Sequence, residues 1–354
     1  MNPVDRGSGE VPPCGYGLLG LCCFDCLRGP CRISPFDKDQ ALCGAESDLL
    51  VAGNLCRLTA KEFAPVLKSF TQAAGEFRRR NETIVSFSMA LTGKLARKYG
   101  IPLEELIPFL QKETTHLLDP LADQPTPIFS SLFPERVSPP GYSERRCGPL
   151  LGELFGLLDW KDQGGAGPEA LLWRCLDSAA SLLIIEELTQ DILSLLHPPL
   201  SEADQKMDGG ILPPNLPDFP QPVVVSLVEA QHPQSAEMQR VATALRGISD
   251  VLFISLRGTE GLLRLCHKLQ EKWHRRICNL PLVVLVESPK ILSILAPLAL
   301  GIPTVSDPSL PIQGSKKVED FFYSGLSKGM GNFYLPVKDE TALSRLSGVL
   351  GRKL

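Results

Sequence analysis

The chain has 354 residues, of which 44% are hydrophobic and 21% charged, with a formal net charge of -4. That supplies one or two ordinary cores, and no stretch reaches the roughly 18 uninterrupted apolar residues of a membrane span, so a soluble cytoplasmic protein with no membrane association is expected. The acidic balance argues against binding nucleic acid, and the short basic runs Arg78-Arg79-Arg80 and Arg275-Arg276 read as solvated helix faces.

Residues 1-13 read as a disordered leader without an apolar signal run. From Cys14 to Cys43 the chain then places six of its 11 cysteines and no histidine. The order is Cys14, seven residues, Cys22 beside Cys23, two residues, Cys26, four residues, Cys31, eleven residues, Cys43. All-thiolate ligand sets suit soft metals, here zinc or iron-sulfur clusters. Structural disulfides, a zinc knuckle, or cysteines that are merely small and buried are the competing readings. Disulfide scaffolds belong to short secreted chains, and structural zinc takes two pairs at a repeated short spacing, whereas here one Cys-x2-Cys is followed by an unpaired Cys31 and a distant Cys43.

Neighbouring side chains in extended or turning backbone point in different directions, so Cys22 and Cys23 are expected to serve different clusters. Cys23, Cys26, Cys31 and Cys43 then form a complete four-thiolate set, with Gly29-Pro30 supplying a tight turn. Cys14 and Cys22 are left as half a set. A two-fold-related copy would complete it, which predicts a homodimer with a shared cluster.

Apolar residues at three- and four-residue spacing predict packed helices from Ser47 to about Gly100: Leu49, Leu50, Leu55 and Leu58, then Phe63, Leu67 and Phe70, then Ile84, Phe87, Leu91 and Leu95. Another helix starts at Pro102. The proline-rich residues 119-149 are expected to be irregular. Glu169 to Leu196 reads as a buried central helix with Cys175 in its core, and Glu186-Glu187 as part of a helix surface. A proline-rich linker follows, and then the period changes. Short apolar runs at Val223-Val228, Val251-Ser255, Leu282-Val286, Thr304-Val305 and Phe333-Leu335 alternate with helical segments at Ser235-Leu245, Gly261-Trp273 and Lys290-Leu300. That alternation predicts a parallel sheet with helices on both faces. No GxGxxG opens a helix, so a dinucleotide site is not supported.

The run Cys14-Gly-Tyr-Gly-Leu-Leu-Gly-Leu-Cys22-Cys23-x2-Cys26-x2-Gly-Pro-Cys31-Arg-Ile, with Cys43-Gly-Ala and Val51-Ala-x-Asn54 behind it, resembles the amino-terminal cluster region of nickel-iron carbon monoxide dehydrogenase catalytic subunits, in the hybrid-cluster-protein/carbon monoxide dehydrogenase superfamily. The resemblance implies that Cys14 and Cys22 hold an intersubunit cluster, and that Cys23, Cys26, Cys31 and Cys43 hold a [4Fe-4S] cluster within each subunit. It continues more weakly in the second half. Val251 to Glu260 resembles the strand and turn that carry a paired-cysteine nickel-site ligand, but Ser255 and Leu256 stand at those positions. Gln231 stands where a ligand histidine is expected, with His232 one residue off, and Glu287, Ser288 and Pro289 replace a Gly-Ser-Cys turn. The implied protein is a shortened member that joins the start of one dehydrogenase α/β domain to the end of another.

The expected fold is α plus α/β: leader 1-13, iron-sulfur segment 14-46, helical domain 47-197, linker 198-222 and one Rossmann-like parallel α/β domain 223-354. The expected function is electron relay through [4Fe-4S] clusters in an anaerobic cytoplasmic homodimer, one cluster in each subunit and one shared, without a nickel-iron-sulfur cluster. Ferredoxin or a larger dehydrogenase complex is the expected redox partner. Two alternatives stand beside it: an active carbon monoxide dehydrogenase that rebuilds its site from Cys266, Cys278, His232 or His274, and a module docking on a larger dehydrogenase complex. Cys56 and Cys147 have no assigned role.

Overall fold

The computed structural model describes residues 14-23, 30-34, 40-80, 89-119, 150-161, 167-197, 216, 218, 220-228, 235-246, 251-259, 261-275, 277, 280-288, 290-307, 309-323 and 334-336. The expected leader and the irregular stretch 120-149 lie outside them, as does most of the linker.

The amino-terminal part opens with a single turn, α1 (Gly15–Leu18), and a two-stranded antiparallel hairpin, β1 (Cys22–Cys23) with β2 (Cys31–Arg32). The long helix α2 (Ser47–Arg80) follows. Its first two apolar sets lie on one continuous helix, which carries an exposed Pro65 in its interior and along which Leu50, Leu55, Phe63, Phe70 and Phe77 share the buried stripe. Helices α3 (Met89–Tyr99) and α4 (Leu106–Leu118) come next, the second led by a 3-10 turn after Pro102. A short helix, α5 (Leu150–Leu158), has no counterpart in the sequence reading. Helix α6 (Pro168–Leu196) starts on proline, whose missing N–H costs nothing in a first turn. It is buried around most of its circumference and makes its largest helix contact with α2.

The second half alternates strand and helix: β3 (Val223–Val228), α7 (Ala236–Arg246), β4 (Leu252–Arg257), α8 (Leu262–Trp273), β5 (Leu282–Glu287), α9 (Ile291–Ala299), β6 (Thr304–Ser306), α10 (Lys316–Tyr323) and β7 (Tyr334–Pro336). The strands form one parallel sheet in the order β4-β3-β5-β6-β7, a Rossmann-like α/β arrangement, as the alternation predicts. Val224, Val283, Leu285, Val305 and Leu335 project to one face and pack on Met238, Val241 and Leu245 of α7. Alternate residues, among them Val225, Val284 and Val286, join the larger core shared with α2, α6, α8 and α9. Among the described residues no helix is long and apolar enough to cross a membrane.

The strand order reverses between β3 and β5, and in doubly wound sheets the crevice beyond such a reversal is where ligands bind, often on a helix N-terminus. Here the N-terminus of α9 is already occupied by the protein itself. Glu62 on α2 accepts the backbone N–H groups of Ile291 at 2.9 Å and Leu292 at 2.8 Å. Glu62→Ala is expected to cost about 1-2 kcal/mol, the usual range for losing a helix cap, read as a lower urea midpoint with an unchanged slope.

Candidate metal centre

Cys14 stands at the N-terminal boundary of α1 and is exposed. In the hairpin Cys22 is opposite Arg32, and Cys23 is opposite Cys31. Successive strand residues point to opposite faces, while directly opposed residues share one, so Cys23 and Cys31 lie together and Cys22 faces away from them. On that other side Cys22 and Cys14 are near enough for each thiol to shift the other. The backbone amide of Gly17 is the largest influence on Cys14. It holds the thiol below its ordinary pKa against desolvation, and the Tyr16 amide, Arg32 and Cys22 add to it. Burial pushes Cys22 up, and the charge of Cys14 pushes the same way.

Cys43 sits exposed in a turn closed by the Gly44 amide donating to Ala41 O at 2.7 Å and the Ala41 amide to Ala45 O at 2.9 Å. Cys26 lies outside the described residues. Among the described residues no three or more His, Cys, Asp or Glu side chains already form a metal-binding group.

Residues far along the chain hold this segment in place. Asn54 on α2 donates from Nδ2 to Gly20 O at 2.8 Å and to Cys22 O at 2.7 Å, and its Oδ1 accepts from Arg57 at 3.2 Å. At Gly20, with φ of 74°, an added Cβ would lie 2.4 Å from Pro311 O. The Gly314 amide donates to Leu19 O at 2.9 Å, and a Cβ at Gly314 would meet that oxygen at 2.3 Å. Lys161, just past α5, places Nζ 3.6 Å from Cys23 Sγ. Asn54 ends the Val51-Ala-x-Asn54 run, which carries no signal of its double clamp on Gly20 and Cys22. Gly314 and Lys161 carry no local signal of contact with the cysteines.

The strand ends of the α/β half are built differently. Ser255 is exposed, Leu256 is buried, and after them Gly258 turns the chain with φ of 62°. Thr259 in that turn donates to both carboxylate oxygens of Glu186 on α6, at 3.0 and 2.8 Å. At the end of β5, Glu287 accepts from Ser226 at 3.4 Å, and Ser288 Oγ accepts the Lys290 amide at 3.1 Å. Cys266 is buried in α8, where burial pushes its thiol up to about 12. His274 is exposed at the end of the same helix. Eight residues of helix separate the two by about 12 Å. Gln231, His232, Cys147 and Cys278 lie outside the described residues. Cys175 is core, and its sulfur is 3.5 Å from that of Cys56 across the α2–α6 contact, a pairing over 119 residues.

Glu186 and Glu187 are not a solvated surface. Glu186 holds the Thr259 turn, while Glu187 is 4% exposed and accepts from Lys98 on α3 at 2.6 Å and from Arg264 on α8 at 3.0 Å. Lys98 also pairs with Asp191, which accepts from the Tyr99 hydroxyl at 2.5 Å. This network ties the helical part to the α/β part.

Residues 21-124, which include the hairpin, α2, α3 and α4, match one protein family. That family is the Prismane/CO dehydrogenase family, and the match covers under a third of the chain. The CO dehydrogenase relationship is also visible pairwise. Carbon monoxide dehydrogenase 1 of Methanosarcina acetivorans is 37% identical over 107 residues, 28% of this chain and 17% of that protein. The carbon monoxide dehydrogenase of Rhodospirillum rubrum is 51% identical over 53 residues, 14% of this chain and 8% of its own. The matched stretches therefore span less than a fifth of these relatives. Carbon monoxide dehydrogenase IV from Carboxydothermus hydrogenoformans superposes with a TM-score of 0.42 at 14% identity, covering 95% of this chain and 59% of that one.

Proposed function

We propose that this chain is a carbon monoxide dehydrogenase-like iron-sulfur protein that relays electrons and lacks the nickel active cluster. The observation that carries the reading is the division of the cysteines by the hairpin: Cys23 and Cys31 on one face, Cys22 turned toward Cys14 on the other. The donor chemistry fits a thiolate-ligated cluster. Cys23, Cys26, Cys31 and Cys43 would hold one [4Fe-4S] cluster in each subunit, which would supply one-electron transfer. Cys14 and Cys22 would contribute two thiolates to a cluster shared across a homodimer axis. Two of the large apolar side chains that are exposed, Tyr16 and Leu42, adjoin this segment, as a surface that meets a second copy would require.

The lack of a nickel site is supported by Ser255 and a buried Leu256 where the resemblance expects paired cysteines, and by the docking of the next turn on Glu186. Electrons would enter from a partner such as ferredoxin or a larger dehydrogenase complex. Anaerobic purification followed by iron and nickel quantification tests the reading. Iron without nickel, in a dimer, is the expected result. Stoichiometric nickel with oxidation of carbon monoxide would overturn it.

A further inference from the structure

The amine beside Cys23 is placed there by the fold. Gly53, immediately before the clamp residue Asn54, carries the Trp160 ring directly on its backbone, because a Cβ at that position would lie 2.5 Å from the indole. Trp160 is buried by this contact. Lys161 follows it, with Nζ 5.2 Å from the Trp160 ring centroid and 3.6 Å from Cys23 Sγ. Cys23 itself is 1% exposed. Two consecutive residues of α2 thus fix both partners: Asn54 holds the Cys22 carbonyl, and Gly53 seats the tryptophan that precedes the lysine.

We propose that Lys161 is a positioning residue that sets the reduction potential of the cluster held by Cys23. The proposal rests on the reading of Cys23 as a ligand. Reduction adds one electron, and hence one negative charge, to the thiolate-ligated group. A lysine N–H directed at a ligand sulfur stabilises that added charge and raises the potential. The effect is strengthened where water is excluded, as it is at Cys23.

The test is a potentiometric titration of the full chain reconstituted anaerobically with iron and sulfide, followed by visible bleaching and by the electron paramagnetic resonance signal of the reduced state. Lys161→Met is expected to retain its iron and to move the midpoint to more negative potential, while Lys161→Arg stays near the parent value. A midpoint unchanged in Lys161→Met at full iron content overturns the proposal and leaves the ligand reading intact. Absence of iron from the parent chain overturns both. Should Lys161→Met lose iron, Lys161→Gln decides in its place: a lowered midpoint supports the proposal, and an unchanged one overturns it. Loss of iron from both variants, with retention in Lys161→Arg, assigns the lysine to holding the cluster and overturns a tuning role.

Discussion

Lys98→Met will lower the unfolding free energy by about 3-5 kcal/mol at neutral pH, the range for removing one partner from a buried ion pair. Lys98 stands between two carboxylates one helical turn apart on α6, Glu187 and Asp191, both buried. Without it Glu187 keeps Arg264 and Asp191 keeps the Tyr99 hydroxyl, but two negative charges share a site with one fewer cation. Burial is the largest influence on Glu187 and pushes its carboxyl up. Lys98 and Arg264 together outweigh it and leave the group below its usual range. For Asp191 burial also dominates, and the pull of Lys98 does not cancel it, so this carboxyl sits above its usual range.

The signs of those shifts give the pH dependence. Glu187, depressed in the folded state, contributes stability that is present above the unfolded value near ~4.3 and is lost as the pH falls through the folded one. Asp191 is raised, so its contribution is fullest below the unfolded value near ~3.9 and declines as the pH rises through the folded one. Removing Lys98 is therefore most costly when both groups are ionised. The gap between parent and Lys98→Met narrows on acidification as the carboxylates take up protons. Urea midpoints at neutral and mildly acidic pH check this, and a gap that widens at acidic pH would show that charge is not the cause. Adding Glu187→Gln and Asp191→Asn to Lys98→Met is expected to restore much of the loss.

If the proposed clusters are present, Cys23→Ala will remove about four irons from each chain, whereas Cys14→Ala or Cys22→Ala will remove about two, because a four-iron cluster on a two-fold axis is counted half to each copy. The difference follows from the hairpin. Cys23 faces Cys31, while Cys22 is turned to the exposed Cys14 side; on the proposed reading the first two would belong to a set complete within one chain and the other two to a set that a second copy would complete. Iron analysis together with sedimentation separates the two classes. Loss at Cys14 that leaves the iron count unchanged would remove the shared cluster from the proposal. Equal loss from Cys22→Ala and Cys23→Ala would instead mean that adjacent cysteines serve one centre.

The α/β half was largely legible because its strands are short, uniformly apolar runs, and a parallel sheet covered on both faces requires that pattern. Helix α6 was legible for a similar reason, since its apolar residues continue around the circumference. Helix α5 was not. It has nine residues, including Gly152 and Gly156, and its burial depends on α2 and α6 more than on its own pattern. The continuity of α2 was not legible either, because apolar spacing alone does not say whether successive sets lie on one helix, and α2 carries an exposed Pro65 in its interior.

At the candidate site, the separation of Cys22 from Cys23 could be read from the alternation of an extended chain. The supports could not, because they come from elsewhere. Lys161 is 138 residues from Cys23, and Lys98 is 89 residues from Glu187. Adjacent carboxylates such as Glu186 and Glu187 resemble a solvated face until Thr259, Lys98 and Arg264 are brought to them by the packing of the turn after β4, α3 and α8.

The backbone contact between Gly314 and Leu19 gives the molecule a direction in time. Pro311 and Gly314, which pack on the turn just before the cysteine hairpin, are synthesised nearly 300 residues after it. At about 5-20 residues per second a ribosome needs roughly 15-60 s to cover that distance. During that interval Leu19 and Gly20 wait for the backbone that will cover them. Ser315 and Lys317, which lock onto Asp48 at 2.6 and 2.8 Å, arrive in the same moment and close the seam. The thiols of Cys14, Cys22 and Cys23 thus leave the ribosome long before the residues that seal this segment, which leaves an interval of tens of seconds in which the segment is open to whatever it binds.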